Sequence, residues 1–150
     1  MPSSRTIGLK MAVFYSASSP YTTLNAIGKL NSIRHTDPKH PIMQGILRFL
    51  ESGKHCTANG WFFSIPSNNS YARAPWWTYD PKANEYEHLG VTAGLVCFVL
   101  QCAEKDSSLY KQAGVFANHL LARFKETGNK GDMGLSGYCM KRSPKRSWII

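Results

Sequence analysis

Hydrophobic positions recur at helical spacing in four stretches of the chain. After Ser19-Pro20, the residues Tyr21, Leu24, Ile27, Leu30 and Ile33 fall three apart, which gathers them on one face of a helix. Ser19 is a good cap, and proline suits the first helical position because its missing N–H has no partner to lose there. Asp37-Pro38 closes the segment. A second helix is predicted from His40-Pro41, with Ile42, Ile46, Phe49 and Leu50 as its stripe and Gly53 as its stop. A third is predicted from Asn84, paired with Glu87 as a capping box, and runs through Leu89, Val91, Leu95, Phe98, Val99 and Cys102. It is apolar nearly all round and should be the most buried element. Gly90 and Gly94, one turn apart, permit another helix to approach closely. Asp106-Ser107-Ser108 caps a fourth helix, in which Leu109, Ala113, Phe116, Leu120, Leu121 and Phe124 repeat and Gly128 marks the end.

The links within the pairs, Arg34–His40 and Lys105–Ser107, are short, and short links make antiparallel helical hairpins. Between the pairs, the stretch from Lys54 to Ala83 has no helical period, and connections of this length are often functional. It carries Gly60-Trp61-Phe62-Phe63, Asn68-Asn69-Ser70 and Pro75-Trp76-Trp77-Thr78-Tyr79-Asp80-Pro81, and Trp61–Ile65 suits a short extended piece. The Asn-Asn-Ser sequon is a chance-level match without a secretory context. The expected fold class is all-α: about two antiparallel helical hairpins joined by a long aromatic loop, a layout that points to a repeat architecture. Residues 1–18 read as an irregular segment, 19–140 as the helical domain and 141–150 as a basic tail.

Composition narrows the partners. A chain of 150 residues, 43% hydrophobic and 18% charged, has the balance of one globular domain. A net charge of +9 would draw an anionic partner. However, Lys141, Arg142, Lys145 and Arg146 crowd the tail, and the other basic residues stand singly without aromatic interleaving, so no nucleic acid is expected. The apolar run Val91–Leu100 is far short of the roughly 20 residues a membrane span needs, and the N-terminus lacks a signal-peptide layout. No membrane span and a cytoplasmic location are expected. Cys56, Cys97, Cys102 and Cys139 form no C-x-x-C pair; Cys97 and Cys102 lie in the apolar third helix, where cysteine acts as a small hydrophobe, and reduced thiols are expected. His35, Asp37 and His40 are metal-ligand types without a second cluster. The glycine-rich 128–137 stretch lacks the preceding strand of a phosphate loop. No cofactor or metal is expected.

The candidate chemistry lies in the aromatic loop and just after it. Trp61, Trp76, Trp77 and Tyr79, with Asp80, can line an apolar cavity or stack on a sugar face; the competing reading is that the rings fill the end of the helix stack. Glu87 and His88, with Glu85, form an acid/base set on paper, against which stands an ordinary helix cap and a hydrogen-bonded histidine. Trp61, Trp76, Trp77, Tyr79, Asp80, Glu87 and His88 are therefore the candidate ligand-binding residues, and no residue is assigned a catalytic role.

The stretch Gly45-Ile46-Leu47-Arg48-Phe49-Leu50, followed by Asn59-Gly60-Trp61, resembles the helix-then-glycine-tryptophan repeat of terpenoid-cyclase and prenyltransferase-like α/α-toroids. The span from His40-Pro41-Ile42-Met43-Gln44-Gly45 through Ala74-Pro75-Trp76-Trp77 and into Gly90-Val91-Thr92-Ala93-Gly94 is similar to a group of bacterial, prenyltransferase-like proteins of unassigned activity. Together the likeness covers about residues 18–140. It implies a partial toroid whose full-length form binds an apolar (isoprenoid) or carbohydrate small molecule. The repeat's loop glutamine is missing, with Lys54 or His55 near its place, and neither an Asp-x-Asp-Asp motif nor an Asp-x-Cys plus His zinc set is present. The resemblance thus carries over no catalytic residue, and the chain by itself is expected to be inactive. Its relatives are longer, so truncated or altered ends are expected. Two hairpins leave apolar flanks uncovered, which predicts self-association. The alternative is a non-enzymatic helical-repeat interaction module. The ligand reading requires Trp76, Trp77, Tyr79 and Asp80 to converge on one concave pocket; the alternative requires those rings to be spent in helix contacts.

Overall fold

The computed structural model describes residues 19–35 and 37–127. The segment 1–18, the glycine-rich stretch after residue 127 and the basic tail lie outside the described residues. Four α-helices account for most of what is described: α1 (Pro20–Ser32), α2 (Pro41–Glu51), α3 (Pro81–Cys102) and α4 (Ser108–Thr127). The crossover between α2 and α3 holds a two-residue antiparallel ladder, β1 (Cys56–Thr57) with β2 (Gly60–Trp61), in which Cys56 faces Trp61. Two short 3₁₀ turns follow, at Pro66–Ser70 and Pro75–Trp77.

The helix starts follow from local chemistry. Ser19 and Thr22 form a reciprocal capping box, Thr22 N donating to Ser19 Oγ at 3.2 Å and Ser19 N to Thr22 Oγ1 at 3.1 Å. His40 Nδ1 accepts from Ile42 N at 3.2 Å, and Ser107 Oγ accepts from Tyr110 N at 3.1 Å. Gly53 stops α2 with φ +65°, a left-handed conformation that costs glycine little. The third helix departs from expectation. It begins at Pro81, three residues early, with Asp80 Oδ1 accepting from Lys82 N at 2.8 Å. The Asn84–Glu87 box does not form, because the Asp-Pro pair supplies a better start and Asn84 is already one turn inside. Asp80→Ala should therefore lower unfolding free energy by about 1 kcal/mol, whereas Glu87→Ala should stay within about 0.5 kcal/mol of wild type. Equal losses in denaturant titrations would mean the cap is misassigned.

Helix α3 is the hub. It packs along α4 and against α1 and β2, while α2 reaches α4; α1 and α2 touch each other little. This central place explains its all-round apolar sequence: Leu89, Val91, Leu95, Phe98 and Val99 are all buried. Gly94 sets the approach of α1, since a Cβ there would lie 2.6 Å from Leu24 Cδ1. Beside this contact runs a cleft of about 250 Å³, walled by Leu24, Ile27, Met43 and Phe98, with Asn31 and Gln101 among its polar lining. Cys56 and Cys102 are free thiols, and burial pushes both up from the ordinary thiol pKa. Cys97 is disulfide-bonded, so the reading of reduced thiols does not extend to it. Among the described residues no helix is long and apolar enough to cross a membrane.

Candidate functional site

Three polar residues interrupt the apolar surface of α3 at intervals of four: Asn84, His88 and Thr92. That spacing sets them one above another on one helix face, and all three are buried. Buried polar groups demand partners, and here the aromatic crossover supplies most of them. Thr92 Oγ1 accepts from Trp61 N at 3.0 Å and lies 3.3 Å from Trp61 O, within reach to donate. Asn84 Oδ1 accepts from Phe63 N at 2.9 Å and Ser64 N at 3.2 Å, while its Nδ2 donates to Ser64 O at 2.8 Å. The helix face thus serves the crossover backbone much as a neighbouring strand would. Gly60, at φ +149°, makes the close approach: a Cβ there would lie 2.6 Å from Thr92 Cγ2.

Between these two anchors, His88 Nδ1 lies 2.8 Å from the Asn84 carbonyl oxygen. A carbonyl only accepts, so Nδ1 carries the proton and Nε2 the lone pair; Nε2 is buried without a partner. Burial holds this imidazole below its ordinary pKa. The Asn84 carbonyl pulls the other way, and His119 and Arg123 of α4 add to the lowering.

The rings divide into fasteners and one displayed side chain. Trp61 is wholly buried, edge-on to Phe116 of α4 at 5.0 Å. Phe63 and Trp77 stack at 5.5 Å with 12° between planes, and Tyr21 of α1 meets both edge-on, at 5.1 and 4.6 Å. Tyr79 leans on Phe62 at 6.2 Å, and its backbone is held twice by Asn69: Tyr79 N donates to Oδ1 at 2.9 Å and Nδ2 donates to Tyr79 O at 3.2 Å. Asn68 Nδ2 donates to Trp77 O at 3.0 Å. Arg73 Nη1 donates to the carbonyls of Asn68 and Tyr71, both at 3.1 Å, and Nε donates to Thr78 Oγ1 at 3.2 Å. On this scaffold Trp76 stands 68% exposed.

The seven predicted residues take separate parts in the structure. Trp61 and Trp77 fasten the crossover, Tyr79 flanks it, Trp76 faces outward and Asp80 caps α3. Glu87 is half-buried on that helix and His88 buried. None of them lines the cleft beside α1. The His35, Asp37 and His40 turn is structural: the two imidazoles pack edge-to-face at 4.1 Å, Asp37 Oδ1 accepts from Lys39 N at 2.9 Å and His40 caps α2. Among the described residues there is no group of three metal-ligating side chains. Asn84, Thr92, Asn68, Asn69 and Arg73 organise the site without having been singled out for that role. The spacing of 84, 88 and 92 in an apolar helix was the available signal; for the loop residues there was none. No family model, curated protein or solved structure matches the chain.

Proposed function

We propose that the chain is a non-catalytic, ligand-contacting part of an α/α-toroid. In this reading α3 and α4 form its best-packed hairpin, and Trp76 offers its ring to an apolar (isoprenoid) or carbohydrate molecule. The observation that carries this is the exposure of Trp76 on a loop held by Asn68, Asn69 and Arg73. Leaving so large a ring in water forgoes on the order of 2 kcal/mol of burial, and a rigidly held, exposed aromatic is the kind of anchor that recognition uses. A broad flat ring face suits a sugar ring or an isoprenoid chain alike. The helix-then-glycine-tryptophan pattern and the Pro-Trp-Trp segment support the toroid part. The non-catalytic part rests on the fate of the acid/base candidates: His88 is buried with Nδ1 on the Asn84 carbonyl, while Glu85 is exposed and Glu87 half-buried.

A second reading, the helical-repeat interaction module, draws support from α4. Beside its core stripe, Tyr110, Gly114, Ala117, Leu121 and Phe124 follow one another at four- and three-residue steps. All are partly exposed, and a Cβ on Gly114 would meet nothing within 4 Å. Such a flank is what a neighbouring hairpin or a second copy would cover.

One titration separates the two. Calorimetry and tryptophan fluorescence of the purified chain against geranyl and farnesyl diphosphate, and against linear oligosaccharides, should give saturable binding in one series. Trp76→Ala should abolish that binding while changing stability by no more than about 0.5 kcal/mol. Absence of binding in both series sinks the ligand reading; a molar mass that then rises with concentration supports the interaction module.

A further inference from the structure

Helix α1 ends in a Schellman motif. Arg34 N donates to Asn31 O at 3.0 Å and His35 N to Leu30 O at 2.9 Å, with Arg34 left-handed at φ +58°. Glycine is the usual residue at that position, because a Cβ crowds the following carbonyl there. An arginine holds it at a cost, and local folding does not account for the choice. Its side chain is exposed, as are those of Lys29, one turn before Ile33, and Lys39, just ahead of the α2 cap. None of these three cations has an ion pair among the described residues. The only carboxylate in the sequence from 29 to 42 is Asp37, whose Oδ1 accepts from Lys39 N at 2.9 Å.

Two aliphatic side chains stand among these cations, Ile33 at 72% exposed and Ile42 at 51%. The edge-to-face contact of His35 with His40, at 4.1 Å, joins the end of α1 to the start of α2 two residues from each isoleucine. Ile33 and Ile42 thus share one end of the helix pair with Lys29, Arg34 and Lys39. A single exposed hydrophobe needs no explanation, but a pair set within unpaired cations does. An anionic bilayer surface suits both kinds of group, since its headgroups neutralise Lys and Arg while the acyl boundary takes up aliphatic side chains. A second copy of this end would bring like charges together, and an uncharged apolar protein face would leave the cations unmatched.

We propose that the end of α1 and the start of α2 form a docking surface for an anionic bilayer. Ile33 and Ile42 enter the headgroup boundary while Lys29, Arg34 and Lys39 meet the lipids' negative groups. This stands apart from the ligand reading, which concerns Trp76 on the crossover, and either can fail alone.

Co-sedimentation of the full chain with vesicles tests this. Binding is expected to phosphatidylcholine vesicles holding about 30 mol% phosphatidylserine, and not to phosphatidylcholine alone. Lys141, Arg142, Lys145 and Arg146 attract the same lipids, so variants are compared in a chain with all four changed to Gln. In that background Arg34→Gly should weaken binding about fivefold, the share of one cation near such a surface. The same change should raise the thermal midpoint by about 2 °C, because glycine relieves the left-handed position. Damage to the fold would lower both readings together; a cation kept for binding at a strained position moves them apart. Ile33→Ser combined with Ile42→Ser should weaken binding about tenfold. Absence of binding by the tail-substituted chain overturns the proposal, as does unweakened binding in either variant, or weakening by Arg34→Gly that comes with a lowered midpoint. A molar mass that falls without lipid when both isoleucines become Ser also overturns it, because a second copy would then be what covers them.

Discussion

Gly60→Ala is expected to cost about 3–5 kcal/mol, a large part of the stability of a domain this size. Two separate costs converge on one methyl group. The backbone at φ +149° lies where side chains are rarely tolerated. In addition, the new Cβ would sit 2.6 Å from Thr92 Cγ2 and 2.9 Å from Thr92 Cβ, both on a buried helix with no room to recoil. Thr92 cannot rotate away cheaply, because its hydroxyl oxygen holds the Trp61 amide. A double-mutant cycle separates the contributions. In a Thr92→Ala background most of the steric part disappears, so the two substitutions should couple by about 1–3 kcal/mol, and the backbone part should remain. Strict additivity in guanidinium unfolding would mean that the crossover does not rest on Thr92.

The helices were legible because their signals are local. Ser19-Pro20, His40-Pro41 and Asp106-Ser107-Ser108 are caps that act on the next few residues, and the structure begins a helix at each. The start of α3 was misplaced for an instructive reason. Asn84 and Asp80 are both good caps, and local chemistry does not say that one of them is needed elsewhere. Asn84 is needed twenty residues upstream in the chain, at Phe63 and Ser64. The same holds for Trp76 and Trp77. Adjacent and identical in type, they differ in that one ring has Tyr21 and Phe63 to pack on and the other stands largely exposed. Tyr21 lies on α1, so the distinction depends on how α1 meets α3, and this depends in turn on Gly94 and Leu24. Hydrophobic periodicity finds the faces; only assembled geometry assigns the individual rings. The buried polar residues of α3 lie between these cases. Their spacing announces a shared face, but their partner is a crossover with no period of its own.

Asn84 is where that face can be tested hardest, and its removal should be felt as lost hydrogen bonds and not as lost volume. One carboxamide serves three buried backbone groups, with its oxygen toward the amides of Phe63 and Ser64 and its nitrogen toward the Ser64 carbonyl, an arrangement that fixes its orientation. Asn84→Leu keeps the number and branching of the side-chain heavy atoms and offers no polar atom. Each backbone group left unpaired costs about 1–3 kcal/mol, partly recovered where the crossover shifts to admit water, so a net loss of about 3–5 kcal/mol is expected. Asn84→Asp should fall between that and wild type: it still accepts from both amides but turns an oxygen toward the Ser64 carbonyl, and protonating it restores a donor there. Its deficit should therefore shrink as pH falls through the carboxyl's pKa. Near-ultraviolet circular dichroism should register the change, because Phe63 carries the stack with Trp77. If Asn84→Leu unfolds within 1 kcal/mol of wild type (roughly the worth of a single hydrogen bond), the crossover is held by its rings and the polar face of α3 is incidental.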